Sequence, residues 1–391
     1  MNQEKRIYLD YNSTTPVDPR VFDAMAPYFT EKFGNAASRN HPFGWEAEEA
    51  VEKAREIIAQ VLNASSKEIV FTSGATESIN LAIKGLCEAN EEKGKHIITQ
   101  VTEHKVVLDT CKTMERRGWT VNYLPVKKDG LVDPDLLWES IRDDTMVVII
   151  MHANNEIGTI HPTREIGGIC KSKEIFFLVD GAQSFARLPT NVEEMGIDLL
   201  AASGHKIYGP KGIGFLYVRR RDPKVNLTIQ IDGGSHERGK RSGTLAVPLI
   251  VGLAKATEIL LDERDEENQR LKKLRDKLMM GILDALPDTV VNGSMEHRLS
   301  HNLNVAFPNV EAESLLMGMS DIACSTGSAC TSASLEPSHV IKALGVREEL
   351  AHSSVRFSVG RFTSEEEIDY AIKRITTTVA TLREMVPLWQ K

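Results

Sequence analysis

No apolar run in this chain approaches the ~20 residues needed to cross a bilayer; the longest clear one is Met146–Met151. The opening MNQEKRIYLD also lacks the apolar core of a signal peptide. A soluble, cytoplasmic protein without a membrane partner is expected. Cysteine is scarce and poorly placed for cross-linking. Cys87, Cys111, Cys170, Cys324 and Cys330 are odd in number and scattered, and no C-x-x-C pair occurs. That argues against a disulfide framework or a thiolate zinc site and leaves room for one reactive thiol among buried ones. Positive charge is in deficit, with 47 Lys and Arg against 55 Asp and Glu and a net charge of −8. A protein that coats nucleic acid is therefore not expected. The small basic clusters Arg219–Arg221 and Lys240–Arg241 read as solvated surface. His297 and His301 have i, i+4 spacing but no third ligand nearby, so they too read as surface residues and no metal is expected. Internal repeats and low-complexity segments are absent.

The chain has 391 residues, 41% of them hydrophobic, enough for one large domain and a smaller companion. From Glu68 onward short apolar runs alternate with helix-period stretches. Strands are expected at Ile69–Ser73, His96–Gln100, Val121–Val126, Met146–His152, Ile175–Asp180 and Ile213–Val218. Continuous apolar strands alternating with helices imply an α/β fold with a mostly parallel sheet covered on both faces. The long charged stretch Ala254–Leu286 reads as a helix leading out of that domain. A smaller α+β part should follow, with strands near Asn302–Phe307 and Ser353–Gly360. Its last helix should be opened by Ser364 with Glu367 three residues on, a capping box. The expected division is residues 15–258 against residues 1–14 with 259–391.

Ligands of such sheets collect at the carboxyl ends of the strands, so the residues just after each apolar run carry the argument. SGATES (Ser73–Ser78) is a glycine turn opening a helix. It is either an ordinary cap or an anion site in which backbone N–H groups and Thr76 face a phosphate. His104 follows the second run and Asn155 the fourth. Asp180 ends the fifth, where a buried acid needs a partner. A protonated pyridine nitrogen would be one, and the pairing would strengthen that ring as an electron sink. The stretch that organises the rest is Asp198–Tyr217, with SGHK and the turn GPKGIG between two apolar runs. Lys206 there is either a loop lysine or one that forms a Schiff base with pyridoxal phosphate, with Ser203 and His205 on the phosphate. Lys211 is its nearest rival. Arg356, inside an apolar strand, must be paired, either in an internal salt bridge or on a substrate carboxylate. Cys330 sits among small residues in CSTGSACTSASLEPS (Cys324–Ser338), either as a buried thiol or a reactive one.

SGHKIYGPKGIG resembles the cofactor-lysine motif of the cysteine desulfurases, members of the class V aminotransferase group of fold-type I pyridoxal phosphate (PLP) enzymes. The likeness runs from Tyr8–Pro19 to the end of the chain. It implies PLP as cofactor, L-cysteine as substrate, and catalysis by Lys206, His104 and Cys330, with a persulfide forming on Cys330. By the same likeness Ala75 and Thr76 belong to the phosphate cup, His104 covers the ring, and Gln183 meets its phenolic oxygen. Asn155 touches ring oxygen and substrate carboxylate, and Arg356 grips that carboxylate. His236–Thr244 resembles a segment lent across a homodimer interface, Thr244 completing the neighbouring cup. The resemblance further implies a sulfur-acceptor protein, serving iron–sulfur assembly, tRNA thiolation or DNA phosphorothioation, and a transient iron–sulfur cluster at Cys330. Many relatives carry a further tail after the element that matches Pro387–Trp389, so a specialised acceptor is as open as a scaffold. An aminotransferase or selenocysteine lyase on the same fold, and a non-catalytic PLP-binding platform, are the rival readings.

Overall fold

The computed structural model describes residues 6–326 and 336–385. Cys330 and Pro387–Trp389 lie outside the described residues. The chain opens with a two-residue strand, β1 (Ile7–Tyr8), and then lays down the strands of the central sheet. These are β2 (Ile69–Thr72), β3 (His96–Gln100), β4 (Thr120–Leu124), β5 (Thr145–Ile149), β6 (Phe176–Asp180), β7 (Leu199–Ser203) and β8 (Gly214–Val218). They lie side by side in the order β2-β8-β7-β6-β5-β3-β4. The ladders from β4 through β3, β5 and β6 to β7 are all parallel. Only β8 is reversed, antiparallel to both β7 and β2. The mostly parallel sheet expected from the apolar runs is thus present, with strand ends within three residues of expectation. Leu199–Ser203, read as the first run of the Lys206 stretch, is indeed the partner of β8.

Every residue of β2, β3, β5, β6, β7 and β8 is buried, as a sheet covered on both faces requires. One face packs on helix Pro42–Leu62 and the start of helix Val247–Ala285, through Val51, Ile58, Phe71, Phe177, Phe215 and Ile250. The other packs on helices Ala75–Ala89 and Lys105–Arg116, through Ile79, Leu86, Val107, Val147 and Leu216. Cys87, Cys111 and Cys170 are buried in helices. Only the edge strand β4 is partly open to solvent.

Helix Val247–Ala285 starts seven residues before the expected position, with Pro248 in its first turn, where proline's missing N–H costs nothing. At 1.5 Å per residue its 39 residues span about 58 Å. Its first half feeds the sheet's core, and its second half (Leu271, Leu274, Leu278, Ile282) feeds a separate apolar cluster with Leu303, Phe307, Val355, Phe357 and Ile375. That cluster lies beneath a small antiparallel sheet of β9 (Val290–Val291), β10 (Asn302–Ala306) and β12 (Ser354–Ser358). The chain's start joins the same cluster, since β1 pairs in parallel with β11 (Ile322–Ala323). The last helix, Glu365–Glu384, opens with the Ser364–Glu367 capping box.

Two surface assignments are corrected. Arg219 is buried and pairs with Asp198 at 2.9 Å and Glu193 at 2.7 Å, because it continues β8 by one residue, its N–H donating to the Asp198 carbonyl at 2.9 Å. His301 is 1% exposed, because it enters β10 where the N-terminal segment folds over it. No helix among the described residues is long and apolar enough to cross a membrane.

Candidate active site at the carboxyl edge of the central sheet

The carboxyl ends of β2, β3, β5, β6 and β7 lead into the candidate groups. After β7 the chain tightens into a short 3₁₀ turn, Gly204–Lys206, then crosses the glycine segment into β8. Gly204 N–H donates to the Ile213 carbonyl at 3.0 Å and Gly209 N–H to the Gly204 carbonyl at 3.0 Å. Those bonds hold the loop shut and point Lys206 away from the core. Its Nζ donates to the carbonyls of Asn12 and Ser13, both at 2.6 Å. Arg187 braces the same residue by donating to the Lys206 carbonyl at 2.9 Å. Lys211, the rival lysine, is exposed.

Asp180 closes β6 and is 5% exposed. Burial pushes its pKa up, while the Ala182 N–H at 2.9 Å, His104 and Lys206 pull it back. His104 caps helix Lys105–Arg116, its Nδ1 accepting from Val106 N–H at 3.2 Å. Burial lowers its pKa, Asp180 raises it and Lys206 lowers it again. An acceptor Nδ1 leaves the proton of the neutral ring on Nε2. Asp180 and His104 therefore each feel the other and Lys206, from three different strand ends.

The turn after β2 forms a cup. Gly74 has φ +152° and caps helix Ala75–Ala89, a backbone conformation that only glycine adopts readily. A Cβ built there would meet only the Ser203 Oγ, at 3.7 Å. Ala75 and Thr76 occupy the helix's first turn, where free N–H groups face outward. His205 lies opposite, its Nδ1 3.0 Å from Thr14 Oγ1. Burial, then Lys206 and Lys211, lower its pKa to about 4, so its ring is neutral at pH 7. Glu77 ties the cup to the 236–244 segment: Ser73 N–H donates to it at 2.8 Å and Arg241 Nε at 2.8 Å. Arg241 is thus paired rather than simply solvated. Thr244 itself is exposed.

Arg356 reaches the site from β12. Its Nη2 donates to Asp10 at 2.7 Å and its Nη1 to the Asn155 carbonyl at 2.9 Å. Its Nε is buried without a partner among the described residues. The internal salt bridge is present, and one donor remains to be satisfied. Gln183 is engaged at both ends by Asn12, accepting from its Nδ2 and donating to its carbonyl, each at 2.9 Å. Cys324 follows β11, partly buried against the small apolar cluster, and burial pushes its thiol up to about 12. That fits a packing role. No group of three or more His, Cys, Asp or Glu side chains suited to a metal occurs among the described residues.

Two residues at the site, Asn12 and Glu103, were not legible as such. Asn12 bonds Gln183, lies 3.2 Å from His301 Nε2, and accepts from Asn302 Nδ2 at 2.9 Å. The partners of Asn12 stand up to 346 positions away, so no local pattern marks it. Glu103 hides beside His104, fully buried, and its pKa rises to about 8 through burial and Asp180. Its one signal was an acid at the end of an apolar strand, the reasoning applied to Asp180.

These residues fit PLP. A glycine cup at a helix N-terminus suits its phosphate, the buried Asp180 carboxyl suits a protonated ring nitrogen, and Lys206 is within the same electrostatic neighbourhood. The comparisons with known proteins point the same way. The aminotransferase class-V family model matches residues 7–371. The chain is 57% identical to the cysteine desulfurase IscS of Shewanella sp. (strain MR-4), over 98% of this chain and 95% of that protein. A solved NifS-like protein superposes with a TM-score of 0.90 at 39% identity, covering 96% of this chain and 100% of the other. A solved complex of SspA with cysteine gives a TM-score of 0.82 at 39% identity, covering 92% of this chain and 100% of the other.

Proposed function

The chain belongs to the class-V aminotransferase family, and from that premise we infer that it is a PLP-dependent cysteine desulfurase. L-Cysteine and the Cys330 thiol give L-alanine and a Cys330 persulfide. The substrate's carbon–sulfur bond breaks, a sulfur–sulfur bond forms, and the β-carbon takes up a proton, so no outside oxidant is needed. The observation that carries the reading is the convergence of Asp180, His104 and Lys206, from the ends of β6, β3 and β7, on one site at the carboxyl edge of the sheet.

Bound PLP supplies the electron sink that lets the substrate Cα lose its proton. Asp180 would hold the ring nitrogen in its protonated form. Ala75, Thr76, Ser203 and His205 would hold the phosphate, and Gln183 and Asn155 the ring oxygen. The His104 imidazole, kept neutral by burial, can lie on the ring face and carry a proton at Nε2. Lys206 is the base placed to take the Cα proton. The Arg356 guanidinium, whose buried Nε has no partner among the described residues, would meet the substrate carboxylate, with Asp10 behind it.

Finer parts belong to the same reading. The protein would be a cytoplasmic homodimer with Thr244 completing the partner's cup, supported by the exposure of Thr244 and the Arg241–Glu77 tie three residues before it. Residues 15–258 would form the large domain, and residues 1–14 with 259–391 the small one, supported by the separate apolar cluster of the latter. The persulfide would pass its sulfur to an acceptor protein.

Borohydride reduction of the yellow holoenzyme should label Lys206, found by peptide mapping. Cys330→Ala should keep the cofactor absorbance and lose alanine and sulfide production from L-cysteine. Normal turnover in that variant, or a label on another lysine, overturns the assignment.

A further inference from the structure

Glu156 has no part in the mechanism above, yet it is 3% exposed and follows Asn155 directly. Its backbone is locked from two sides. The Glu156 N–H donates to Asn154 Oδ1 at 2.8 Å, and its carbonyl accepts from Asn302 Nδ2 at 3.2 Å and Asn304 Nδ2 at 3.3 Å. Its carboxylate accepts from the Ser338 hydroxyl at 2.5 Å. Ser338 is also the N-cap of helix His339–Ala343, accepting from Val340 N–H and Ile341 N–H. Capping uses the lone pairs of that hydroxyl. Its proton is spare for the helix, and Glu156 is where it goes. The next residue repeats the attachment, as His339 Nε2 lies 3.0 Å from the Glu103 carbonyl, beside His104.

Ser338 stands eight residues after Cys330, and on the other side Ser325 stands five residues before it. Ser325 is fastened too. It exchanges backbone hydrogen bonds with Arg356, at 3.1 Å from its own N–H and 2.7 Å from the N–H of Arg356. Both chain ends that lead to Cys330 are thus pinned beside the candidate substrate residues, Ser338 to Glu156, the neighbour of Asn155, and Ser325 to Arg356. A buried carboxylate is costly without a strong partner, and a short bond from a hydroxyl is one.

We propose that Glu156 is a positioning residue for sulfur transfer: through Ser338 it anchors the outgoing end of the segment that bears Cys330. The proposal rests on the desulfurase reading. The anchor acts on the thiol's approach to the substrate sulfur, the step that forms the sulfur–sulfur bond as the carbon–sulfur bond breaks. It does not act on cofactor capture or on the Cα proton.

The test uses holoenzyme of Ser338→Ala, Ser338→Thr, Glu156→Ala and the Glu156→Ala/Ser338→Ala pair. Two readouts are followed: the cofactor's absorbance change on adding L-cysteine, and persulfide on Cys330 by mass spectrometry in a single turnover. Ser338→Ala and Glu156→Ala should keep the absorbance change and slow persulfide formation by roughly ten- to a hundredfold, the scale of lost orientation. Ser338→Thr, which keeps a hydroxyl, should restore it, and the double variant should be no slower than either single one. Wild-type persulfide rates in either alanine variant overturn the proposal. So does equal loss of both readouts, which would make the contact merely structural. A wild-type enzyme that never forms the Cys330 persulfide would instead refute the desulfurase reading itself.

Discussion

Arg55 and Glu237 form a doubly hydrogen-bonded ion pair sealed from water, with nitrogen–oxygen distances of 2.7 and 2.8 Å. The same carboxylate accepts from the Phe71 N–H in β2 at 2.6 Å, and the same guanidinium donates to the Ile69 carbonyl at 2.7 Å. The pair therefore fastens the 236–244 segment to the edge of the central sheet. It also holds Glu237 and Arg238 in the left-handed region, at φ +47° and +55°. Breaking one side of such a pair leaves an uncompensated buried charge. Glu237→Gln should lower unfolding free energy by roughly 3–5 kcal/mol, read from urea unfolding of the holoenzyme. A loss below about 1 kcal/mol would show the pair to be solvated.

Glu103 predicts a pH dependence. Its Oε1 accepts from Gln100 Nε2 at 2.8 Å and from Met151 N–H at 2.6 Å, while its Oε2 has no partner among the described residues. Burial, with Asp180 adding to it, pushes its pKa up to about 8. An unfolded glutamate titrates near 4.3. Between those values the folded chain holds a proton that the unfolded chain has released, so stability falls as pH rises and levels off above about 8. Glu103→Gln cannot ionise. Its stability relative to wild type should grow with pH across that window, by up to roughly 1.4 kcal/mol per unit. Urea midpoints at several pH values check it, and parallel curves for the two proteins would sink the claim.

Arg356 presents a planar fork already oriented by Asp10 and the Asn155 carbonyl. A lysine keeps the charge but loses the fork. Arg356→Lys should raise KM for L-cysteine by about ten- to a hundredfold, the value of a charge-assisted hydrogen bond, with a smaller change in kcat. Steady-state kinetics decide this. An unchanged KM would confine Arg356 to its salt bridge.

The parts legible in the sequence share one property: their cause is local. Alternation of apolar runs and helical stretches placed the strands, the Ser364–Glu367 spacing placed the last helix, and the glycines around Lys206 marked the β7–β8 crossing. Asp180 could be singled out because a buried acid at a strand end demands a partner. What stayed hidden is assembled across the chain. His301 looks like a polar surface residue in its own neighbourhood, and only the return of Asn12 over β10 buries it. Arg219 reads as one of three consecutive cations until Asp198 and Glu193 close on it. Glu156 lies in a polar run, and its meaning comes from Ser338, 182 positions later.

Gly214 tests whether backbone contact shapes the cofactor cup. In the sheet it stands opposite Thr72 on one side and Ser203 on the other. A Cβ there would lie 2.4 Å from the Ala202 carbonyl oxygen and 2.6 Å from the Gly74 Cα. Both are backbone atoms, so no side chain can swing aside, and Gly214→Ala must push the Gly74 turn away from Ser203. The expected cost is roughly 1–3 kcal/mol of stability from overpacking, together with weaker PLP retention. Gly168→Ala is the control: the position is helical and a Cβ would meet nothing within 4 Å, so it should be neutral or stabilising by up to about 1 kcal/mol. Urea unfolding and titration of stripped protein with PLP, followed by absorbance, separate the two. If Gly214→Ala takes up PLP as tightly as Gly168→Ala, close backbone approach is not what forms the cup.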